Sequence, residues 1–239
     1  MASMPLVLLD FILSFIWVWS GALIKLFVYN ILGYGFEPKG EILKASLSIL
    51  RTFFFAWLVK ISRGGSYNPL ALLSGLVSGN LTGFLFTIGV RIPAQVFGSV
   101  VGVMYIIETF PEIGHGPRLK VDIHRGALTE GFLCFAIVIV SQGLARSNTR
   151  SFFIRTWMSS CSKLTLHTLG SDLTGGCMNP ATALAWAYAR GDHVSKEHIF
   201  VYWIAPIQAT LLGVWIFRLL VPSSQKFKEE KLRKNIKSD

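Results

Sequence analysis

Ionisable side chains are scarce in this chain, and acids scarcest of all: 13 Asp and Glu stand against 23 Lys and Arg in 239 residues, so that 15% of the positions are charged and 52% are hydrophobic. A water-facing domain carries about 25% charged residues, and the shortfall excludes an ordinary soluble surface. Cysteine is nearly absent as well. Cys134, Cys161 and Cys177 show no CxxC spacing and no adjacent histidine cluster, which removes both a zinc site and a disulfide framework. HExxH, GxSxG, the P-loop and the dinucleotide fingerprint are all missing. Nothing asks for a metal, a cofactor or a catalytic residue, so no enzyme activity is expected, and no nucleic-acid partner either. A net charge of +10 on so apolar a chain belongs in the loops and tails of an integral membrane protein, with the lipid bilayer as its partner.

What is present agrees with that class. Six segments have the length and apolarity to cross about 30 Å of hydrocarbon: Pro5–Leu32, Ile42–Ile61, Val90–Glu108, Gly126–Ala145, Ser151–Ser171 and His198–Val221. The first lacks a basic leading region and outruns the usual signal-peptide core, so it is read as a transmembrane helix. The fifth is interrupted by Arg155, Lys163 and His167 and is the weakest of the six. Residues 222–239 are polar and lysine-rich, a solvated cytoplasmic tail in this reading.

Two short boxes organise the chain. Asn68-Pro69-Leu70 follows Gly64-Gly65, and Asn179-Pro180-Ala181 follows Gly175-Gly176, 111 residues later. The same offset lays Ala94–Ser99 on Ala205–Thr210, a stretch with small residues four apart, the spacing that lets helix backbones approach in a bilayer. Asp10 and Glu130 add one acid near the start of each half. Three spans per half turn the second half upside down relative to the first, giving inverted halves at roughly 1–120 and 121–221 of one domain.

Each box reads as the start of a half-helix. Asn is a strong N-cap and Pro suits the first helical position. The apolar runs that follow, Leu70–Ser78 and Ala181–Ala189, are about nine residues long and reach only about half the hydrocarbon thickness at 1.5 Å per residue. If they enter from opposite faces their N-termini meet. Each Asn oxygen then caps its own helix, leaving the NH2 group to donate to whatever occupies a pore.

Those boxes, with "GGCMNPATALAWAYA" around the second, and the short basic tail resemble the aquaporins, the major intrinsic protein family, and most of all the plant small basic intrinsic proteins of type 2. The resemblance covers essentially the whole chain. It implies an all-α membrane protein with six transmembrane helices and two re-entrant half-helices, one pore per subunit and assembly as a homotetramer. It also implies cytoplasmic termini, an endoplasmic reticulum membrane, and passive passage of water and other small neutral solutes. By position it implies a selectivity region of Ser48, His167, Gly176 and Thr182, with Thr182 standing where most of the family has Arg. Asp10 and Glu130 fall where family acids hold the re-entrant loops. Leu70 replaces the usual Ala and adds volume beside Asn68. Lys163, one helical turn from His167, is a candidate pore charge, and Gln95 an interhelical hydrogen-bonding residue. Two other classes share parts of this pattern: a coupled secondary transporter with broken helices, and a poorly conducting scaffold of the same fold. The glycosylation sequon at Asn80 falls on the cytoplasmic side in this topology and is expected to stay unused.

Overall fold

A computed structural model describes residues 3–35, 37–76, 81–114, 116–147, 149 and 151–221. The tail 222–239 and residues 77–80, which hold the expected end of the first half-helix and the sequon Asn80, lie outside the described residues.

The described residues form helices joined by loops, with no strand among them. Helix α1 (Ser3–Lys25) continues through a π turn, Leu26–Ile31; α2 spans Pro38–Ile61; and the short α3 spans Pro69–Leu76. Helix α4 comprises Leu81–Phe86, a π turn at Thr87–Arg91 and Ile92–Thr109. The second half repeats the order with α5 (Ile123–Arg146), α6 (Phe152–Gly170), the short α7 (Pro180–Arg190) and α8, which runs Lys196–Ile199, a π turn at Phe200–Ile204, and Ala205–Leu220. Five of these helices are long and apolar enough to cross a membrane: Pro5–Ile31, Pro38–Ile61, Thr82–Thr109, Ile123–Arg146 and Lys196–Leu220.

Helix α6 has the length but more polar side chains. Its hydroxyls are satisfied within the helix: Thr156 donates to Phe152 O at 2.8 Å, Ser160 to Thr156 O at 2.7 Å, Thr165 to Cys161 O at 3.0 Å and Thr168 to Leu164 O at 2.9 Å. Back-bonding to the carbonyl four residues earlier keeps such residues compatible with an apolar setting.

Helix ends follow local chemistry. Asp122 caps α5 by accepting from His124 N at 3.1 Å and Arg125 N at 3.0 Å, and those amides, Arg125 first, hold its carboxylate below the ordinary range. Ser151 caps α6 and Ser195 caps α8. Gly191 closes α7 in the left-handed conformation.

The inverted repeat is visible in what each half buries. On α4 the inward residues include Ser99, Gly102, Val103 and Ile106; on α8 they include Thr210, Gly213, Val214 and Phe217, each 111 positions later. Helix α4 packs along α1 and α8 along α5. A Cβ at Gly98 would run into the backbone carbonyl of Phe11, and one at Gly102 would come within 2.5 Å of Val18, so α4 lies against α1 at backbone distance. Each third helix also holds the other half's short helix: α4 packs on α7 and α8 on α3. Val18, Ala22, Val103, Ile106, Ala185 and Trp186 form one buried cluster at such a junction, and Leu70, Leu73 and Cys134 form another. Large apolar side chains such as Leu50, Phe54 and Trp57 on α2 face outward, as suits a lipid surroundings.

Candidate functional site

Two short helices point their N-termini at one another, and the Asn residues stand at the junction. Asn68 Oδ1 accepts from Leu70 N at 3.0 Å; Asn179 Oδ1 accepts from Ala181 N at 3.1 Å and Thr182 N at 3.4 Å. Each side chain thereby satisfies backbone donors that a helix start leaves open. The amide nitrogens cross over. Asn68 Nδ2 donates to Met178 O at 2.8 Å, and Asn179 Nδ2 donates to Tyr67 O at 3.0 Å. The expectation that both NH2 groups stand free is corrected by this geometry: one hydrogen of each is committed to the opposite loop, and the other has no protein acceptor among the described residues.

Behind the pair, one buried acid anchors each loop. Asp10 is 0% exposed and accepts from Ser66 N at 2.7 Å and from Arg91 Nε and Nη2 at 2.6 and 2.9 Å; Arg91 Nη2 also reaches Gly64 O at 2.5 Å. Glu130 is 1% exposed and accepts from Thr174 Oγ1 at 2.7 Å, Cys177 N at 2.8 Å and Met178 N at 3.0 Å. The first half thus balances its acid with a cation, the second with neutral donors alone. Glu130 fixes Met178 in a left-handed conformation, φ 47°, that non-glycine residues seldom adopt, and Met178 O is the acceptor for Asn68.

A cavity of about 610 Å³ opens beside the junction. Its lining brings together Asn68, Asn179, Ser48, His167, Gly176 and Thr182, with Lys163 on the same wall as His167. His167 Nδ1 lies 3.1 Å from Gly176 O. Gly176 has φ 52°, and a Cβ there would come within 2.5 Å of His167 O, so glycine is required on both counts. Ser48 Oγ donates to Lys44 O at 2.8 Å, while Thr182 Oγ1 is buried with no hydrogen-bond partner.

Leu70 does not border this cavity. It is buried with Leu73 and Cys134, because the helix turn that begins at Pro69 directs it into the apolar cluster, so its extra volume lies in packing rather than in the path. Ala181 is fully buried, and Pro69 and Pro180 begin their helices. Gln95 is fully buried with neither amide atom partnered, and it too lies off the cavity.

The profile of the major intrinsic protein family matches residues 7–217. The chain belongs to the major intrinsic protein family. It is 52% identical over 221 residues to the probable aquaporin SIP2-1 of Arabidopsis thaliana, covering 92% of this chain and 93% of that one. It is 49% identical over 227 residues to the aquaporin SIP2-1 of Oryza sativa subsp. japonica, covering 94% and 90%. Among solved structures, the aquaglyceroporin from Plasmodium falciparum superposes with a TM-score of 0.64 at 17% identity, covering 90% of this chain and 93% of that one. That likeness establishes the aquaporin fold, and the apolar helices make this member of the channel family a multi-pass membrane protein.

Arg91, which the sequence marks only as a basic residue, pairs with Asp10 behind the first loop, and Arg51, which it does not single out, lines the cavity. Both sit in helices where a single charge disappears into an apolar average, although a cation within a membrane span is itself a functional signal.

Proposed function

We propose that this major intrinsic protein is a passive channel for water, shared with other small neutral solutes, through the cavity that Asn68, Asn179, His167 and Thr182 line. One observation carries the reading: at the meeting of two half-helix N-termini, each Asn keeps one N–H in hand while its other atoms are fixed by the opposite loop and its own helix. A water oxygen arriving there accepts from Asn68 and then from Asn179. Its own hydrogens therefore point away from the junction on both sides, and the hydrogen-bonded wire needed for proton transfer is broken. The positive ends of the two half-helices oppose cations at the same place.

Ser48, His167, Gly176 and Thr182 form the selectivity region in this proposal, and Lys163 is a candidate charge on its wall. Asp10 and Glu130 support a passive rather than an ion-coupled protein, because both are occupied in holding loops and neither borders the cavity. The homotetramer, the endoplasmic reticulum membrane, the cytoplasmic termini, the inverted halves 1–120 and 121–221 and the basic tail 222–239 belong to the same proposal, supported by similarity to the plant relatives.

Purified protein in liposomes tests it. Osmotic shrinkage is expected to be fast, with low activation energy and independent of any ion gradient. Dependence on a gradient means a coupled transporter, and shrinkage no faster than that of protein-free vesicles means a scaffold.

A further inference from the structure

Arg51 lies in the middle of α2, three residues and hence roughly 4.5 Å along the axis from Ser48, and it lines the cavity beside Tyr67 and Asn68. Its Cζ sits 4.0 Å from the centroid of the Trp17 ring. Trp17 in turn stacks on Tyr67 at 4.3 Å with the planes 21° apart, and Tyr67 O is the acceptor for Asn179. Helix α1 is hollowed opposite the guanidinium: a Cβ at Gly21 would come within 2.5 Å of Arg51 Nη1.

Among the described residues no acid balances this charge. The ion pairs among the described residues are Lys39–Glu37, Lys44–Glu41, Arg91–Asp10 and Arg190–Asp192. Glu41, which also borders the cavity, is engaged by Lys44 at 2.5 Å and Tyr29 at 2.7 Å. Arg51 Nε is buried without a partner, and no hydrogen bond from its Nη atoms reaches protein among the described residues. Lys25 and Lys163 line the same cavity, so its fixed charge is positive. A purely structural arginine in an apolar interior is paired, because an uncompensated buried charge costs far more than it returns. This one instead lies over the Trp17 ring and lines the cavity, where a passing solute can complete its hydrogen bonding.

We propose that Arg51 is the specificity-determining cation of the path, which repels alkali cations and hydronium and donates to neutral solutes that carry oxygen acceptors. The assignment rests on the channel reading above. It places the fixed charge on α2, whereas Thr182 on α7 offers only a hydroxyl.

The test uses full-length protein in liposomes, with water followed by osmotic shrinkage and potassium, proton and chloride fluxes by ion-sensitive dyes. In the unmodified protein water is expected to pass while potassium and protons stay at the lipid background. Arg51→Met is expected to raise potassium and proton leak roughly tenfold or more, the factor for removing a unit charge about 4 Å from the path, with water flux kept or raised and chloride unchanged. Gly21→Ala keeps the charge but displaces the guanidinium, and is expected to give an intermediate leak; Arg51→Lys is expected to restore most of the barrier. Background potassium and proton leak in both Arg51→Met and Gly21→Ala overturns the assignment; an equal rise of potassium and chloride in Arg51→Met reports a damaged fold, and background leak in Gly21→Ala then overturns the assignment. If Arg51→Met does not reach the membrane intact, Gly21→Ala decides alone. Absence of water flux in the unmodified protein is a separate result, which overturns the channel reading itself.

Discussion

Asn68 and Asn179, 111 residues apart in the chain, are each other's support: the amide of each donates to the carbonyl immediately before the other, at 2.8 and 3.0 Å. The two half-helices are therefore joined through their caps as well as through apolar packing, and a change in one Asn reaches the loop of the other half.

Asn179→Asp tests the donors. Aspartate still caps α7, and its charge even suits a helix N-terminus, but it has no N–H for Tyr67 O or for water. Water flux is expected to fall at least several-fold with the protein still inserted, and a cation leak is expected to appear. Normal water flux with no new leak would remove the donor role.

Glu130→Gln tests the anchor. The carboxylate accepts three hydrogen bonds from Thr174, Cys177 and Met178, and an amide turns one acceptor into a donor facing a donor. The expected loss is ~2 kcal/mol of stability, read as a lower unfolding temperature in detergent, together with reduced water flux as Met178 O leaves Asn68. An unchanged melting temperature would show that the loop is held by other means.

Gly98 on α4 faces α1 and Gly131 on α5 faces α8, so the two sit on opposite sides of corresponding helix pairs, with different space. A Cβ at Gly98 meets the Phe11 carbonyl, whereas one at Gly131 finds its nearest neighbours at 3.8 Å. Gly98→Ala is expected to cost about 1–3 kcal/mol through forced separation of α1 and α4. Gly131→Ala is expected to be neutral or to stabilise by up to ~1 kcal/mol through helix propensity. Comparison of the two unfolding temperatures checks this, and equal shifts would refute the difference in packing.

Lys163 shares the cavity with His167, but among the described residues it has neither a ring beneath it nor a glycine opposite it. Lys163→Leu is expected to change potassium and proton leak by less than about twofold, within the range of a screened, flexible charge, while leaving water flux intact. A leak as large as that of Arg51→Met would make Lys163 an equal contributor.

Much of this arrangement was legible before any coordinates. The Asn-Pro boxes announce themselves because a cap, a proline and a glycine pair are local signals, and the repeat offset predicts which residues of α8 mirror those of α4. Asp10 and Glu130 stood out as acids in apolar surroundings. The crossed amide bonds were not legible, since Met178 stands in a left-handed conformation and its N–H is held by Glu130, 48 residues away. Arg51 was hidden for a different reason: its shelf and its opening come from Trp17 and Gly21 on another helix, a pairing no window along one segment can reveal. Helix α6 looked weakest as a span because Arg155, Lys163 and His167 interrupt it; its hydroxyls add no unmet polarity where they bond back to their own backbone, as Thr156, Ser160, Thr165 and Thr168 do.

The crossed amides also set a clock on biosynthesis. The bond from Asn68 spans 110 residues and the one from Asn179 spans 112; at about 5–20 residues per second, some 6 to 20 seconds separate the emergence of the first loop from that of its partner. During that interval Tyr67 O and Asn68 Nδ2 have no counterpart, and the first loop is held by Asp10 and Arg91, both of which precede or closely follow it in the chain. The second loop arrives with its partner already in place and is held by Glu130 with neutral donors alone. The loop anchor of the half that is made first is an ion pair, and that of the half made second is a carboxylate among neutral donors.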